Sequence, residues 1–442
     1  MTMMRTDYDA LGPVLVPADA LYGAQTARAL ANFPVSGIPV SRHPHLVCAL
    51  VMVKKAAALA NKDAGIITGV VADAIVSACD VVLAGKHHDQ FVVDVIQGGA
   101  GTSTNMNANE VLAHIASAIA GTPIHANDHV NASQSTNDVY PTAIRLALLE
   151  ALPQLGAALG RAAEVLAGTA RRVGSISKLG RTQLQDAVPM TAGDELQAFV
   201  TALRRRVGAL EGLAPELALV NLGGTAIGTA VNAPQAYRTS VMEHLVALSG
   251  QPLRCADDLI EAGSDVSALV SASSQLRQVS LCLLKICGDL RLLSSGPRAG
   301  IGEMILPPLQ PGSSLMPGKV NPVMPEMVSQ VAFAVMGRDL SIALAAENGE
   351  LQLNAMEPLI AHLLLLSIDE MSKAVDIFTE RCLEGLDYDA ARCEQLLAGS
   401  TAQASVLVPL IGYEKASEMV LLANRTGRPL ADILSEHGLS EA

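Results

Sequence analysis

Aromatic residues are scarce in this sequence of 442 residues: they make up 2% of it, and tryptophan is absent. Half of the residues are nevertheless hydrophobic, so the apolar mass consists of Ala, Leu, Val, Ile and Met. These side chains suit close packing of helices better than a β-sandwich. Charged residues amount to only 17%, which leaves much apolar helix surface, and we expect other subunits to cover part of it.

Paired cysteines and targeting signals are missing as well. The seven cysteines are scattered, without a CxxC pair, and are predicted to be reduced core thiols of a cytoplasmic protein. The first residues, MTMMRTDYDALG, carry charges where a secretion signal needs an apolar run. No uncharged apolar stretch reaches about 18 residues, so we expect no membrane span. The net charge of −13 argues against nucleic-acid and anionic-membrane partners.

Motifs for metal, nucleotide or nucleophilic-serine chemistry are also missing. The sequence contains no HExxH, GxSxG or GxGxxG motif. His125 and His129 are four residues apart, but Asn and Asp between them indicate a turn rather than a zinc-binding helix. We therefore predict no metal ligands and no cofactor. Whether a divalent cation activates the protein cannot be read from the sequence.

Strand-like alternation is almost absent, and helical periodicity begins near His45. The first forty or so residues are predicted to be irregular because four prolines interrupt them. We predict an all-α protein built around a central bundle of long helices. The predicted domains are a mostly helical N-terminal domain (1–136), the central bundle (137–388) and a small C-terminal helical domain (389–442).

Three polar clusters stand just ahead of predicted helices. They are QGGAGTSTNMNAN at 97–109, NDHVNASQSTN at 127–137 and GRTQLQD at 180–186. Ordinary N-capping needs one Ser or Thr, whereas these clusters supply several hydroxyls and amides beside the free N–H groups of a helix start. This surplus of neutral donors suits a small dicarboxylate.

A fourth polar segment, PGSSLMPGKVNPVMPE at 311–326, combines two adjacent hydroxyls with Lys319 and Asn321. Its glycines and prolines predict a loop, with Asn321 as helix cap and Pro322 as the first helical residue. A solvated linker is the simplest alternative. A Walker loop is disfavoured because five residues separate Gly312 from Gly318, where the Walker pattern has four. Hydroxyls, amides and one cation suit proton abstraction next to a carboxylate.

The segment GSSLMPGKVNP resembles the signature of the fumarase/aspartase superfamily. The resemblance extends over nearly the whole chain and includes DQFVVDVIQGGAGTSTNMNANEVLA, NDHVNASQSTNDVYPTA and LLSSGPRAGIGE. The segments VNPVMPE, LQLNAMEP and LQDAVPMT resemble aspartate ammonia-lyases rather than fumarases. The family implies a homotetramer with a twenty-helix core, in which each active site is assembled from three subunits.

The resemblance also implies roles for residues in the reversible conversion of L-aspartate to fumarate and ammonia. Ser313 is the implied base that removes a proton from C3, while Lys319 and Asn321 hold the α-carboxylate. The remaining implied residues are the β-carboxylate donors Thr102, Ser135, Thr136 and Ser314, the amino-group neighbours Asn137 and Thr182, the loop support Glu326, and Ser103, Asn105, Gln183 and Arg28 around the substrate.

The sequence departs from the family pattern in two places. Gln183 stands where fumarases and some aspartases have a His, and because Gln cannot shuttle protons at neutral pH we predict that it anchors by hydrogen bonds. The chain also ends earlier than aspartases usually do, so we expect a shortened C-terminal domain. Two alternatives stay open: a lyase of the same fold for another succinyl compound, with fumarate hydratase first, and a catalytically silent scaffold.

Overall fold

Helices dominate the chain in the computed structural model, which describes residues 3–439. This confirms the predicted all-α class. The helices of the described residues are α1 (Ala24–Asn32), α2 (Pro44–Asp63), α3 (Gly69–Leu83), α4 (Thr102–Ala120), α5 (Thr136–Arg172), α6 (Ala192–Glu211), α7 (Ala214–Leu217), α8 (Gln235–Ser249), α9 (Glu261–Ser264), α10 (Ser267–Leu293), α11 (Val323–Glu347), α12 (Glu357–Phe378), α13 (Ala390–Ala398), α14 (Ala404–Ile411), α15 (Tyr413–Thr426) and α16 (Leu430–Glu436).

The ends of several helices follow directly from local sequence. The Thr68 hydroxyl caps α3 by accepting from the Val71 N–H, and the Asp389 carboxylate caps α13 in the same way. Gly121 ends α4 in the left-handed conformation, with φ of 66°, as predicted from its position after an apolar run. Pro141 is the sixth residue of α5 and cannot donate to the Asn137 carbonyl, which instead accepts from the Asn221 side chain over 2.9 Å.

Four small sheets accompany the helices, each of two strands. The prediction that the first forty or so residues are irregular was wrong, because they contain a hairpin and α1. The polar cluster at 180–186 was predicted to stand at a helix start, but it lies within a second hairpin. The strands are β1 (Met4–Asp9) with β2 (Gly12–Pro17), β3 (Ser177–Thr182) with β4 (Gln185–Thr191), β5 (Leu219–Val220) with β6 (Arg254–Cys255), and β7 (Met304–Ile305) with β8 (Asp387–Tyr388).

The chain forms two compact units. The first unit comprises the described residues of Met1–Gly156, Ala209–Arg277 and Ala334–Glu370, and the second those of Ala157–Gly208, Gln278–Phe333 and Met371–Ala442. The long helices α5, α6, α10, α11 and α12 each contribute residues to both units. The three-domain boundaries given above stay a prediction.

Small aliphatic side chains fill the core of the first unit. Helix α2 packs against α3 and α8, and it buries Leu50, Val51 and Val53 completely. Two polar residues on α2, Lys54 and Asn61, are equally buried, which is unusual for a lysine and requires polar partners. In the second unit α14, α15 and α16 share a small apolar core of their own.

Two helices among residues 3–439 are long and apolar enough to cross a membrane, judged by length and composition alone: α5 and α11. The apolar window of α5 is 67% buried, as in the core helix of a soluble protein, whereas that of α11 is only 28% buried. The large hydrophobic side chains that α11 exposes are Phe333, Leu340 and Leu344.

All seven cysteines have free thiols. Four of them (Cys79, Cys287, Cys382 and Cys393) are buried, as predicted for core thiols, whereas Cys255 is exposed. The prediction is therefore wrong for Cys255.

Candidate active site

The first turns of α4 and α5 lie side by side in the first unit. The Asn105 side-chain amide on α4 donates to the Thr136 hydroxyl oxygen on α5 over 3.0 Å, and this contact is buried. The ring of Tyr140 packs against Gly101, where a Cβ atom would lie only 2.4 Å from it. Gly101 also has φ of 85°, so only glycine fits there. Two of the three predicted clusters thus lie in contact with each other.

The cluster hydroxyls at 102–104 lie within the first turn of α4, whereas Ser135 stands one residue ahead of α5. Thr102 begins α4 and Thr136 begins α5. The Thr102 hydroxyl is exposed and donates to the Gly99 carbonyl over 2.7 Å. Ser103 is half-buried. The Ser135 hydroxyl accepts from the Asn137 N–H over 3.3 Å.

A buried lysine that the sequence reasoning missed stands behind this site. The Lys54 ammonium donates to Asn131 Oδ1 and to Gln134 Oε1, both over 2.9 Å. Asn131 Oδ1 also accepts from the side-chain amides of Asn105 (3.2 Å) and Asn109 (3.0 Å). Lys54 falls four residues after Leu50 on the apolar face of α2, and that position in the helical period was the available signal.

Asp138 is a second buried charged residue beside these helix starts that the sequence reasoning missed. Its carboxylate accepts N–H groups from Ser135, Gly223 and Thr225, each over 3.0 Å. Burial raises the pKa of Asp138 to about 6, although these N–H groups act in the opposite direction. Asp138 therefore ties the start of α5 to the glycine-rich segment 221–234.

Asn137 contacts the same glycine-rich segment. Its side-chain amide donates to the Ala226 carbonyl over 2.9 Å, while its own carbonyl accepts from the Asn221 side chain over 2.9 Å. The side-chain orientation of Asn137 is therefore set by backbone and amide groups of residues 221–226.

Arg28 contacts the N-terminal hairpin. Its guanidinium donates to both carboxylate oxygens of Asp9 (2.7 and 3.1 Å) and to the Gly12 carbonyl (3.0 Å). This hydrogen bonding lowers the pKa of Asp9. Arg28 and Ser103 line one cavity of about 280 Å³. The contact of Arg28 with substrate stays a prediction, and it would require the guanidinium to share its donors with Asp9.

In the second unit, Thr182 and Gln183 lie at the tip of the β3–β4 hairpin. Thr182 pairs with Gln185, which leaves Gln183 and Leu184 as a two-residue turn with φ of 53° and 61°. Both residues are left-handed, a conformation that costs a non-glycine residue about 1 kcal/mol or more. All three side chains at this tip, Thr182, Gln183 and Leu184, are exposed.

A buried ionic cluster holds the base of this hairpin. Arg181 donates to both oxygens of Glu303 (2.9 and 3.1 Å), and the Lys178 ammonium lies 3.0 Å from Glu303 and 2.9 Å from Glu195. Tyr388 donates to the other Glu195 oxygen over 2.6 Å. Glu303 is completely buried between two cations. Breaking a buried ion pair is strongly destabilising, so these contacts hold the strand that carries Thr182 in place.

The loop between β7 and α11 closes on itself. The Gly312 N–H donates to the Lys319 carbonyl over 2.7 Å, and the Asn321 side-chain amide donates to the Gly312 carbonyl over 2.9 Å. The Asn321 side chain thus closes the base of the loop, which corrects its predicted role as a helix cap. Helix α11 begins at Val323, one residue later than predicted.

Ser313 has a distinctive environment within this loop. Its hydroxyl oxygen accepts the backbone N–H groups of Leu315 (3.1 Å) and Met316 (3.0 Å). Ser313 and Lys319 line one cavity of about 450 Å³. Ser314 and Lys319 are exposed, and Glu326 is half-buried in the first turn of α11. Two N–H groups directed at one hydroxyl oxygen favour a negative charge on it.

The predicted site residues form separate groups in the structure. The first unit joins Asn105 to Thr136, whereas the second unit carries the hairpin tip and the loop as two features. Among residues 3–439 no hydrogen bond links the Thr182–Gln183 tip to the loop. No group of three or more His, Cys, Asp or Glu side chains in this described range has the geometry of a metal site. The prediction of no metal stays a prediction.

Comparison with known proteins places this chain in a family. Residues 12–337 match the family described as lyase. The aspartate ammonia-lyase of Pseudomonas aeruginosa is 51% identical to this chain, covering 98% of it and 93% of that protein. The aspartate ammonia-lyase of Escherichia coli K12 is 46% identical, covering 99% and 93%, and that of Helicobacter pylori is 44% identical, covering 98% and 94%.

Two solved structures have the same fold. The fumarate lyase:delta crystallin from Brucella melitensis bound to cobalt superposes with a TM-score of 0.96 at 48% identity. The class II fumarase from Schistosoma mansoni superposes with a TM-score of 0.94 at 33% identity. Each alignment covers 99% of this chain and 96% of the other.

The chain therefore belongs to the lyase family, and within it to the carbon–nitrogen lyases. The fumarase/aspartase fold and the enzyme class predicted from the sequence are confirmed.

Proposed function

We propose that this enzyme is an aspartate ammonia-lyase, which removes ammonia from L-aspartate reversibly, by anti elimination, to give fumarate. Relatives of that name are 44–51% identical over nearly the whole chain. The observation that carries the chemical part of the proposal is the pair of N–H groups at Ser313 Oγ. A hydroxyl held in this way is suited to act as a base.

The difficulty of the reaction lies in the proton at C3 of aspartate. Its removal leaves a carbanion whose charge spreads into the neighbouring β-carboxylate, so that this group becomes an aci-carboxylate dianion. Donors fixed where this charge develops lower the barrier, and each is typically worth about 3 kcal/mol. We assign this role to the hydroxyls of Thr102, Ser135, Thr136 and Ser314. Thr136 is preorganised by its contact with Asn105.

Ser313 is the proposed base. Serine is a weak base unless its alkoxide is stabilised, and the Leu315 and Met316 N–H groups supply two hydrogen bonds for that purpose. Lys319 and Asn321 are proposed to hold the α-carboxylate. Glu326 is proposed to support the loop from the first turn of α11. Closure of the loop over the substrate would expel water and strengthen all these interactions.

The amino group leaves from the other side of the substrate. Asn137, Thr182 and Gln183 are proposed to surround it, with Ser103 and Arg28 at the edge of the site. Gln183 is exposed at a hairpin tip whose base is fixed by the Arg181–Glu303 pair. A neutral amide there can orient the ammonium group by accepting a hydrogen bond, but it cannot exchange a proton at neutral pH.

We also propose that the enzyme works as a cytoplasmic homotetramer whose active sites are shared among three subunits. The exposed apolar face of α11, which includes Phe333, Leu340 and Leu344, supports assembly because a face of this kind is usually covered. The proposed reaction requires no cofactor, and activation by a divalent cation stays open.

The second candidate function is fumarate hydratase. The similarity to a class II fumarase with a TM-score of 0.94 favours it as the alternative. The two reactions share the C3 carbanion and differ in the leaving group, which is ammonia in one case and water in the other.

The test is one assay of the purified protein against L-aspartate, L-malate and argininosuccinate, with fumarate detected by its ultraviolet absorbance. Fumarate release from aspartate alone is the expected result. Release from malate would establish the alternative, and absence of turnover with all three substrates would indicate a silent scaffold.

A further inference from the structure

Lys54 has no part in the reaction proposed above, although it is the most completely buried cation near the site. Its side chain is 0% exposed, and it projects from the apolar face of α2. Burial lowers the pKa of Lys54 to about 7, while the Asp138 carboxylate acts in the opposite direction. A cation in this environment destabilises the fold unless its contacts compensate. Its position therefore calls for an explanation.

The hydrogen bonds of Lys54 determine which way the neighbouring amides face. An ammonium group only donates, so the atoms 2.9 Å from it must be the oxygens of Asn131 and Gln134. Two backbone carbonyls support this orientation of the amides. The Asn131 amide nitrogen donates to the Gln134 carbonyl (3.3 Å). The Gln134 amide nitrogen likewise donates to the Val130 carbonyl (2.9 Å).

The orientation of the Asn131 amide in turn determines the orientation of the Asn105 amide beside the candidate site. Since Asn131 presents its oxygen to Asn105, Asn105 must present its amide nitrogen in return. The second N–H of that nitrogen then points at Thr136 Oγ1, which accepts it over 3.0 Å. A hydroxyl that already accepts a hydrogen bond keeps its own proton for another partner. The Asn105 oxygen, turned away, is left buried without a partner among the described residues.

We propose that Lys54 is a positioning residue, which acts through Asn131 and Asn105 to keep the Thr136 hydroxyl proton directed at the substrate carboxylate. This inference rests on the proposed function, since it takes Thr136 as a carboxylate donor. Lys54 touches no reacting atom. A purely structural role, as counter-ion to Asp138, is the competing explanation, and the two differ in whether Lys54 and Thr136 are energetically coupled.

The experiment measures binding of succinate, a four-carbon dicarboxylate that cannot undergo the elimination, by calorimetry on the full-length protein. Lys54→Met removes the donor, and we expect a loss of affinity of about 10-fold or more, as for a misdirected hydrogen bond to a charged group. The matched control is Lys62→Met on the same helix. Lys62 is exposed and pairs with Asp73, so this variant should bind succinate like the wild type.

Coupling is read from a double-mutant cycle with Thr136→Val, which removes the hydroxyl but keeps the shape. If Lys54 acts through Thr136, the double variant should bind succinate within about threefold of Thr136→Val alone. Losses that multiply would overturn the proposal, as would unchanged affinity in Lys54→Met. Should Lys54→Met fail to fold, Asn105→Leu replaces it in the cycle, since it breaks the same chain without removing a buried charge.

Lys54→Gln removes the positive charge at position 54 but keeps a hydrogen-bond donor there. Gln is neutral and its side chain is one bond shorter than that of lysine, but its amide keeps a donor, so recovery of part of the affinity lost in Lys54→Met is the expected result. Measurements on the wild-type enzyme test the proposed function separately. If the wild type binds no succinate and converts no aspartate, the proposed function itself is wrong and this inference fails with it.

Discussion

The closed base of the Ser313 loop predicts a large effect for the smallest possible substitution, Gly312→Ala. The added methyl group would lie 2.8 Å from the Lys319 carbonyl oxygen and 3.0 Å from the Asn321 nitrogen. Real Cβ atoms essentially never show a contact as short as the first, and the second is tighter than nine in ten of their contacts. Both neighbours are backbone atoms. The chain itself must therefore move, and the motion separates Gly312 from Lys319.

The magnitude follows from the two hydrogen bonds that close the loop. They are the Gly312 N–H to the Lys319 carbonyl and the Asn321 amide to the Gly312 carbonyl. Each is worth about 0.5–1.5 kcal/mol, so that opening the base forfeits about 1–3 kcal/mol. At about 1.4 kcal/mol for each factor of ten, kcat/KM should fall about 5- to 140-fold. Because the opening is local, global stability should change by no more than the same amount.

The assay is steady-state formation of fumarate from aspartate, with thermal unfolding measured on the same samples. Gly69→Ala is the matched control: Gly69 begins α3, and its added methyl would meet only Lys62 Cε, at an ordinary 3.6 Å. The control should keep its activity within about twofold. An active Gly312→Ala enzyme with wild-type kcat/KM would refute the argument that the loop base must stay closed.

Three further variants test other parts of the structure. Ser313→Ala should lower kcat about 10²- to 10⁴-fold, as expected for loss of a general base, with subunit assembly unchanged by light scattering; near-normal turnover would show that another group is the base. Lys319→Ala should mainly raise KM, by about 10- to 100-fold for a lost charged contact, and an effect confined to kcat would contradict a binding role. Burial raises the pKa of Glu357 from its ordinary 4.5 to about 8. The unfolded chain therefore loses this proton first, and stability should fall as pH rises from about 4.5 to about 8. Glu357→Gln should flatten that fall in thermal unfolding, and an unchanged slope would assign the pH dependence to other groups.

The helical class was predictable because the determining signals are local. Ala-rich periodic segments and glycine breaks recur along the chain, and Gly121 ends α4 where the pattern ends. The hairpins were missed for equally local reasons. Pro13 and Pro17 were taken as breakers, yet in a two-stranded ribbon a proline can occupy an edge position without losing a ladder hydrogen bond. The β3–β4 turn has Gln183–Leu184 in place of the Asn-Gly expected at such a turn.

The site was predictable only in its parts. Clustered hydroxyls and glycines singled out the loop and the starts of α4 and α5 as candidates, because such clusters exceed what helix capping needs. The contacts between the parts depend on tertiary structure. Nothing local indicates that Asn105 reaches Thr136, or that Asn321 turns back to Gly312. Lys54 was overlooked because a lysine in an amphipathic helix is ordinarily solvated.

The hairpin tip at Gln183 has a consequence for how the enzyme can vary. A left-handed backbone accepts unbranched side chains at a modest cost but excludes those branched at Cβ. In a library randomised at position 183, functional clones should therefore include Asn, His and Gly, whereas Val, Ile and Thr should be depleted even though Val and Thr are no larger than Gln. Variation at this tip is therefore limited to side chains that its backbone geometry admits.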